Sequence, residues 1–359
     1  MFGKIDIYII KRFLSTFAFS LGLFSIIVIV FDVSEKLDDF IEKSVPFKEI
    51  VFGYYVNFLP FVMNLLGPAF VFIAVVFFTS KLAERSEIIA ILASGTTFRR
   101  LLRPYMVTAF MLAGLSYLMY AWILPEADKE RVKFEDTYIR DLKNDYRTDI
   151  HRQIRPGLFL SMESFRFHDS TGGKTTLERF NGRELESKLF AERIYFNHEA
   201  DKWTLENYVI RDFTGKGEIL TRGQKLDTII PFNPKDFFRR NDDIQSFNMD
   251  ELNAYIKQKH LEGAENIMFY VTEKQRRYAA PFAIPILVLI GFCVACRKTR
   301  GGVGIHLATG IVIMVLFLFI SRMFITYGTT GVMNPMIAVW APNVIFGLVA
   351  ILLYRTTPK

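Results

Sequence analysis

Apolar residues gather into six long runs along this chain: Phe13–Phe31, Val51–Ser80, Tyr105–Leu124, Tyr278–Cys296, Ile305–Tyr327 and Ala338–Tyr354. Each is long enough, at about 17 residues or more, to cross a hydrocarbon core as a helix. Between the third and fourth runs the period changes. From Pro125 to Gln275 the apolar residues come in short alternating stretches, Leu158–Met162, Leu189–Asn197, Trp203–Asp212 and Leu226–Pro231, the pattern of half-buried strands. Turn signals at Asn181-Gly182, His198–Lys202 and Thr214–Gly217 separate them, which predicts a sandwich or jelly-roll sheet with a core of its own. Glu126–Asp141 and Met249–Leu261 read as polar helices that connect this insert to the flanking runs.

Charge orients the spans. Lys4, Lys11 and Arg12, then Lys81, Arg85, Arg99, Arg100 and Arg103, then Arg297, Lys298 and Arg300, and finally Arg355 and Lys359 all fall on one side of the six runs. On the other side Lys36, Lys43 and Lys48 are diluted by Glu35, Asp38, Asp39, Glu42 and Glu49, and Gly328–Ile337 carries no charge. The positive side faces the cytoplasm, so both termini are expected there and the strand-rich insert outside. The predicted fold is therefore an α-helical membrane protein with six transmembrane helices plus an extracytoplasmic all-β jelly-roll-like domain inserted between helices 3 and 4. Its predicted parts are residues 1–124, 125–275 and 276–359. Lys4, Lys11 and Arg12 before the first run imitate a signal peptide, but the run is too long and Val28–Ser34 offers no small-residue cleavage site, which predicts a retained helix.

Composition adds little beyond this. A chain of 359 residues that is 51% hydrophobic and 23% charged must hold both membrane and aqueous parts. The net charge of +7 reports topology, with anionic headgroups as the expected partner and no nucleic acid. Cys293 and Cys296 lie inside an apolar run without a second pair for zinc or a thioredoxin-like strand before them, so membrane packing is their expected role. The insert contains no cysteine, and its stability rests on packing.

Candidate chemistry is sparse. Thr171–Thr175 imitates the end of a phosphate-binding loop, but the first glycine is missing and the segment lies in the external insert, so a hairpin turn is expected. Gly301–Gly304 is expected to be a tight cytoplasmic turn. His151, His168, His198, His260 and His306 lack metal spacing, and Asn57, Asn64, His306 and Asn343 are too dispersed to build an intramembrane active site. No catalytic residue, metal site or cofactor is predicted. Pro60, Gly67 and Pro68 interrupt the second run and Pro281 and Pro285 the fourth, which predicts kinks. Arg322 is a cation within an apolar run near its external end, placed to snorkel or to hold a ligand. With Lys36, Arg131, Lys133, Arg276 and Arg277 at other external span ends, it forms a candidate ring of positive charge for the phosphates of an anionic amphiphile.

The polar insert between the second and third runs, KLAERSEIIAILASGTTFRRLLRP, is the sharper feature. Ser86 is the expected N-cap, Glu87 complements the positive helix end, and Gly95 supplies the stop, giving a helix over about 82–95. Ile88, Ile89, Ile91 and Leu92 form an apolar stripe. Such a short helix must dock on something. Because Glu84 and Glu87 flank Arg85 in place of a cationic face, a cytoplasmic protein groove suits it better than a lipid surface.

Together these features resemble the lipopolysaccharide export permeases LptF and LptG. The resemblance rests on Ser86-Glu87-Ile88-Ile89 followed by Ala93-Ser94-Gly95-Thr96-Thr97, on six spans, and on the strand-rich insert after the third. It extends to Leu59-Pro60-Phe61, Tyr208–Phe213, Asn233–Asp236 and Asn248–Leu252. It implies a subunit without its own nucleotide site, paired with a second permease and with a cytoplasmic LptB-like ATPase dimer. By the same resemblance Glu87 matches the glutamate of the coupling helix, and Glu84 lies near it. Spans one and five would form lateral gates that pass lipopolysaccharide into the jelly roll, which joins LptC- and LptA-like periplasmic proteins. Lys36 and Arg131 are the nearest equivalents of the family's lipid-contacting basic residues. The implied location is the inner membrane of a Gram-negative bacterium, multi-pass, with the large domain periplasmic. Two other classes stay open: a permease of another envelope-lipid or lipoprotein-releasing system, the latter typically with four spans and its large domain after the first, and a membrane enzyme of envelope lipids.

Overall fold

The helices run well past the apolar segments that predict them. A computed structural model describes residues 3–139, 146–166, 168–197, 200–214, 217–230, 241–261, 267–297, 299 and 301–357. Six helical stretches in it are long and apolar enough to cross a membrane: Lys4–Glu42, Glu49–Glu84, Phe98–Tyr138, Ile267–Ala295, Gly302–Thr329 and Pro335–Thr356. All six predicted spans are present. The first overshoots its apolar run at both ends because residues such as Glu35, Lys36 and Leu37 are good helix formers and need no hydrocarbon around them.

In chain order the elements are α1 (Lys4–Glu42), a π-helical segment Glu49–Tyr55, α2 (Val56–Glu84), α3 (Glu87–Ala93), α4 (Phe98–Leu118), a π-helical segment Met119–Ile123 and α5 (Leu124–Tyr138). Strands β1 (Tyr146–Arg155), β2 (Leu158–Arg166), β3 (Thr171–Asn181), β4 (Glu184–Asn197), β5 (Lys202–Thr214) and β6 (Gly217–Thr228) follow. After a 3₁₀ turn at Asn241–Ser246 come α6 (Met249–Leu261), α7 (Ile267–Ala279), a 3₁₀ turn Ala280–Phe282, α8 (Ala283–Ala295), α9 (Gly302–Thr329) and α10 (Pro335–Thr356). Pro60 and Pro68 are carried inside α2, whereas Pro281 sits in the 3₁₀ turn that divides α7 from α8. Asn233–Asp236, Pro231, His198, Lys298, Arg300 and Lys359 lie outside the described residues.

The chain divides into two units: residues 1–134, 245–249 and 268–359 form the helical one, and residues 135–244 and 250–267 the strand-rich one. In the helical unit two apolar clusters share α2. One joins Ile9 and Phe13 of α1, Val75 of α2, Tyr105 of α4 and Phe292 of α8; the other joins Phe72 and Val76 of α2 to Leu287 of α8, Phe317 of α9 and Phe346 of α10. Glycines permit the closest approaches. A Cβ on Gly291 of α8 would lie 3.1 Å from Phe72 and 3.2 Å from Val76, and one on Gly310 of α9 would lie 3.3 Å from Val76. Small residues at such crossings let helix backbones meet where lipid supplies no hydrophobic drive. Most of α1 and α9 presents large apolar side chains outward, among them Phe19, Phe31, Val312 and Phe319.

The strand-rich unit holds one six-stranded antiparallel sheet in the order β1-β2-β3-β4-β5-β6, an inserted β domain that fits the jelly-roll expectation. Leu160, Met162 and Phe165 of β2, Ala191 and Ile194 of β4, and Trp203 and Leu205 of β5 are buried together. Two strands, β1 and β3, are missing from the sequence reading because their apolar positions are few. Thr171–Thr175, read as a turn, is the start of β3, where Gly172 pairs with Phe165 and with Ile194. Its glycine is a packing device: a Cβ there would stand 3.0 Å from Ile194 and 3.1 Å from Met162. The Asn181-Gly182 turn does close a hairpin, with Gly182 at φ 63°.

Candidate functional site

The short α3 is set between two sharp reversals of the chain. Helix α2 ends at Glu84, and Ser86 adopts the left-handed conformation (φ 60°, ψ 13°) while its N–H donates to Ala83 O at 3.0 Å. Ser86 thus closes α2 and holds the expected N-cap position of α3, its carbonyl accepting from Ala90 N–H at 3.0 Å, but its side chain makes no capping hydrogen bond to α3. The chain must turn back at once to lay a seven-residue helix against the bundle, and a left-handed residue does this in the fewest steps. Gly95 ends α3 at φ 87°, and Thr97 then caps α4, its hydroxyl accepting from Arg100 N–H at 3.3 Å.

One side of α3 belongs to the bundle. Ile88 is 3% exposed and sits in the cluster of Ile9, Phe13, Leu101 and Phe292, with Ile91 and Leu92 packed against it. Ile89, Ala90 and Ala93 face outward, together with Glu84 and Arg85. Glu87 lies between these sides. Tyr8 of α1 reaches its Oε2 through a long hydrogen bond of 3.5 Å, and Arg85 approaches Oε1 at 4.0 Å. Glu84 Oε1 is 3.2 Å from where a Cβ on Gly302 would stand, so it lies beside the first turn of α9. The Gly301–Gly304 stretch, read as a turn, contributes Gly302 onward to that helix.

Asp6, which the sequence did not single out, anchors the same region. Its carboxylate is nearly buried and accepts two bonds from Arg100, at 2.8 and 2.6 Å, and one from Gly3 N–H at 2.7 Å. A bidentate guanidinium–carboxylate pair fixes orientation as well as distance. It ties the start of α1 to the start of α4, the two helices whose Ile9 and Leu101 share a cluster with Ile88 of α3.

The six candidate phosphate ligands occupy different surroundings. Lys36 bonds Asp32 at 2.5 Å and also contacts the Tyr54 hydroxyl, with its ammonium 4.5 Å from the Tyr54 ring centroid. Tyr54 and Tyr55, consecutive in the π-helical segment, both donate to Asp32, at 3.2 and 3.1 Å. Arg131 bonds Asp128 at 2.9 and 2.5 Å, and Ser246 donates to the other oxygen of that carboxylate. Arg276 and Arg277 share Glu273, the first at 2.7 and 2.9 Å and the second at 3.5 Å, and Arg277 donates to Phe247 O at 2.5 Å. Lys133 is exposed and 3.9 Å from Glu130. Arg322 is exposed, with no side-chain hydrogen bond or ion pair among the described residues. Four of the six therefore carry a close carboxylate of their own, while Lys133 and Arg322 are solvent-exposed.

These features define a six-span membrane protein with an inserted antiparallel β domain and a short helix displayed between spans two and three. The chain belongs to the lipopolysaccharide export system permease LptF/LptG family, whose model matches residues 7–356. It is accordingly a multi-pass inner-membrane protein of a transport system. No curated protein matches the chain.

Proposed function

We propose that this chain is the permease subunit of an ABC transporter that extracts lipopolysaccharide from the inner membrane and passes it to a periplasmic bridge. A separate cytoplasmic ATPase dimer drives it, and a second permease of the same family completes the membrane part. The observation that carries this reading is the construction of α3: a helix too short to stand alone, rooted by Ile88 in a cluster shared by α1, α2, α4 and α8, with Glu87, Glu84, Arg85 and Ile89 left at the surface. A force applied to the outer side of α3 is delivered through Ile88 to four helices at once. Ile91 and Leu92 act in the same way, as positioning residues, and the outer side is the docking surface.

Family membership over residues 7–356 supports lipopolysaccharide as cargo. In this reading both termini and α3 are cytoplasmic and the β domain is periplasmic, its apolar interior receiving acyl chains before LptC- and LptA-like partners take them. Arg322 and Lys133, the exposed pair, meet lipid A phosphates first. Lys36, Arg131, Arg276 and Arg277 engage only by exchanging a carboxylate for a phosphate. The six spans and the insert after the third separate this chain from the four-span lipoprotein-releasing pattern. Affinity purification of the full chain from native membranes tests the proposal: an ATPase, a second permease and bound lipopolysaccharide are expected together. Recovery of the chain with none of them would overturn it.

A further inference from the structure

A cavity of about 130 Å³ lies within the helical unit, walled by α2, α4, α7, α8, α9 and α10. Most of its lining is apolar, with Phe317 and Ala69 among the walls. Two polar atoms are out of keeping with that lining. Asn64 is 5% exposed; its Oδ1 accepts from Ser116 at 2.7 Å, but its Nδ2 is buried without a hydrogen-bond partner among the described residues. The Oγ of Ser321 is in the same condition. Both residues line this cavity, Asn64 from α2 and Ser321 from α9. An amide N–H buried unpaired costs about 1 to 3 kcal/mol, so two such groups at one cavity point to a recurrent occupant.

The occupant's charge and polarity follow from its neighbours. Arg276 lines the cavity too, but its guanidinium is held by Glu273 through two hydrogen bonds, so the site offers no free cation. Asn343, also in the wall, commits its Nδ2 to Ala279 O at 2.8 Å. The groups buried without a partner are the Asn64 N–H and the Ser321 hydroxyl, with the Tyr120 hydroxyl also in the lining, and together they favour a neutral acceptor oxygen with an apolar body. Water fits less well. A volume of this size has room for about four waters, each wanting about three polar partners, more than this largely apolar lining offers among the described residues. The cavity also reaches the outer surface of the bundle, because its wall residues Leu65 of α2 and Leu318 of α9 are 44% and 39% exposed.

We propose that this cavity is a binding site for the carbonyl end of an acyl chain, its ester or amide oxygen accepting from Asn64 Nδ2 and Ser321 Oγ while the tail leaves between Leu65 and Leu318 into the bilayer. Ser321 stands eight residues before the end of α9 at Thr329, about 12 Å below that end at 1.5 Å per residue. At 28 residues α9 is about 42 Å long and, centred on a hydrocarbon core of about 30 Å, overhangs each face by about 6 Å, which puts Ser321 about 6 Å inside the core, at the depth of the first methylenes below the ester region. The site lies within a single chain, and it holds whichever partner supplies ATP.

The test uses the full chain in nanodiscs of phosphatidylethanolamine. Two probes carry a diazirine beside the acyl carbonyl: a phosphatidylethanolamine and a fatty acid methyl ester. After irradiation, peptide mapping is expected to place label around Asn64 and Ser321 at least five-fold above the outward-facing Phe319. Ser321→Ala, which removes only the unpaired hydroxyl, should lower that label about three-fold. Ala69→Leu, which fills the cavity, should bring it to the Phe319 level. Labelling by the phospholipid identifies a bilayer lipid as the source, and labelling by the methyl ester alone identifies a single-chain amphiphile; either upholds the site. Label at Asn64 and Ser321 no higher than at Phe319, or unchanged in both variants, would overturn it.

Discussion

Arg100 grips Asp6 with both guanidinium nitrogens, at 2.8 and 2.6 Å, across 94 positions of sequence. The pair clamps the entry of α1 to the entry of α4, and α3 lies beside both. If α3 is where an ATPase pushes, this clamp keeps the push from being absorbed by a sliding α1. Arg100→Asp should therefore weaken ATP-driven transport several-fold while the protein still inserts, and adding Asp6→Arg should restore part of it. Transport assays in proteoliposomes on the two single variants and the double variant measure the coupling. Strict additivity of the two losses would show that the pair does not act as a unit.

The two sides of α3 should separate in stability measurements. Ile88→Ala deletes side-chain atoms from a buried cluster and is expected to cost about 2 to 5 kcal/mol. Ile89→Ala, at an exposed position, is expected to stay within about 0.5 kcal/mol of the parent. For ATPase recovery in copurification, the expectation is reversed when corrected for folded protein: Ile89→Ala loses it and Ile88→Ala keeps most of it. Thermal unfolding in detergent together with copurification reads both.

Glu273 serves two buried cations, Arg276 and Arg277. Glu273→Gln removes the carboxylate that both share and should destabilise the helical unit by about 3 to 5 kcal/mol, seen as a lowered unfolding midpoint in detergent. Lys133→Ala is the contrast. Its ion pair is long and solvated, and its loss should change stability by no more than about 0.5 kcal/mol.

Arg322 should behave as a lipid contact without a structural task. Arg322→Gln is expected to leave the unfolding midpoint within about 0.5 kcal/mol of the parent and to reduce the lipopolysaccharide that copurifies by several-fold. Undiminished lipopolysaccharide in that variant would remove Arg322 from the lipid path.

Which of these relationships the sequence could reveal depended on distance along the chain. The six spans were legible because a hydrocarbon core demands unbroken apolar runs. Their ends were not, since α1 continues as a helix through Glu35, Lys36 and Asp38 with no apolar signal to mark it. Strands β2, β4 and β5 announced themselves by alternation around Leu160, Ile194 and Leu205. The polar β1, with Asp149, His151 and Arg152, did not. Among the cations, the carboxylates that pair with Lys36, Arg131 and Arg276 stand three or four residues away on the same helix, a spacing legible in the sequence. The contacts of Glu87 with Tyr8 and of Arg100 with Asp6 depend on tertiary folding alone. Ser86 was legible as the N-cap of α3, but its left-handed backbone and the missing side-chain cap follow from the reversal after α2 and were not.

The central claim is that α3 is where a separate ATPase engages this permease, and Glu87 is its most exposed test. The full chain and its Glu87→Arg variant are purified from native membranes at matched yield, and the ATPase recovered with each is quantified. At least ten-fold less ATPase is expected with Glu87→Arg, while the second permease is still recovered. Equal ATPase with both proteins would contradict it.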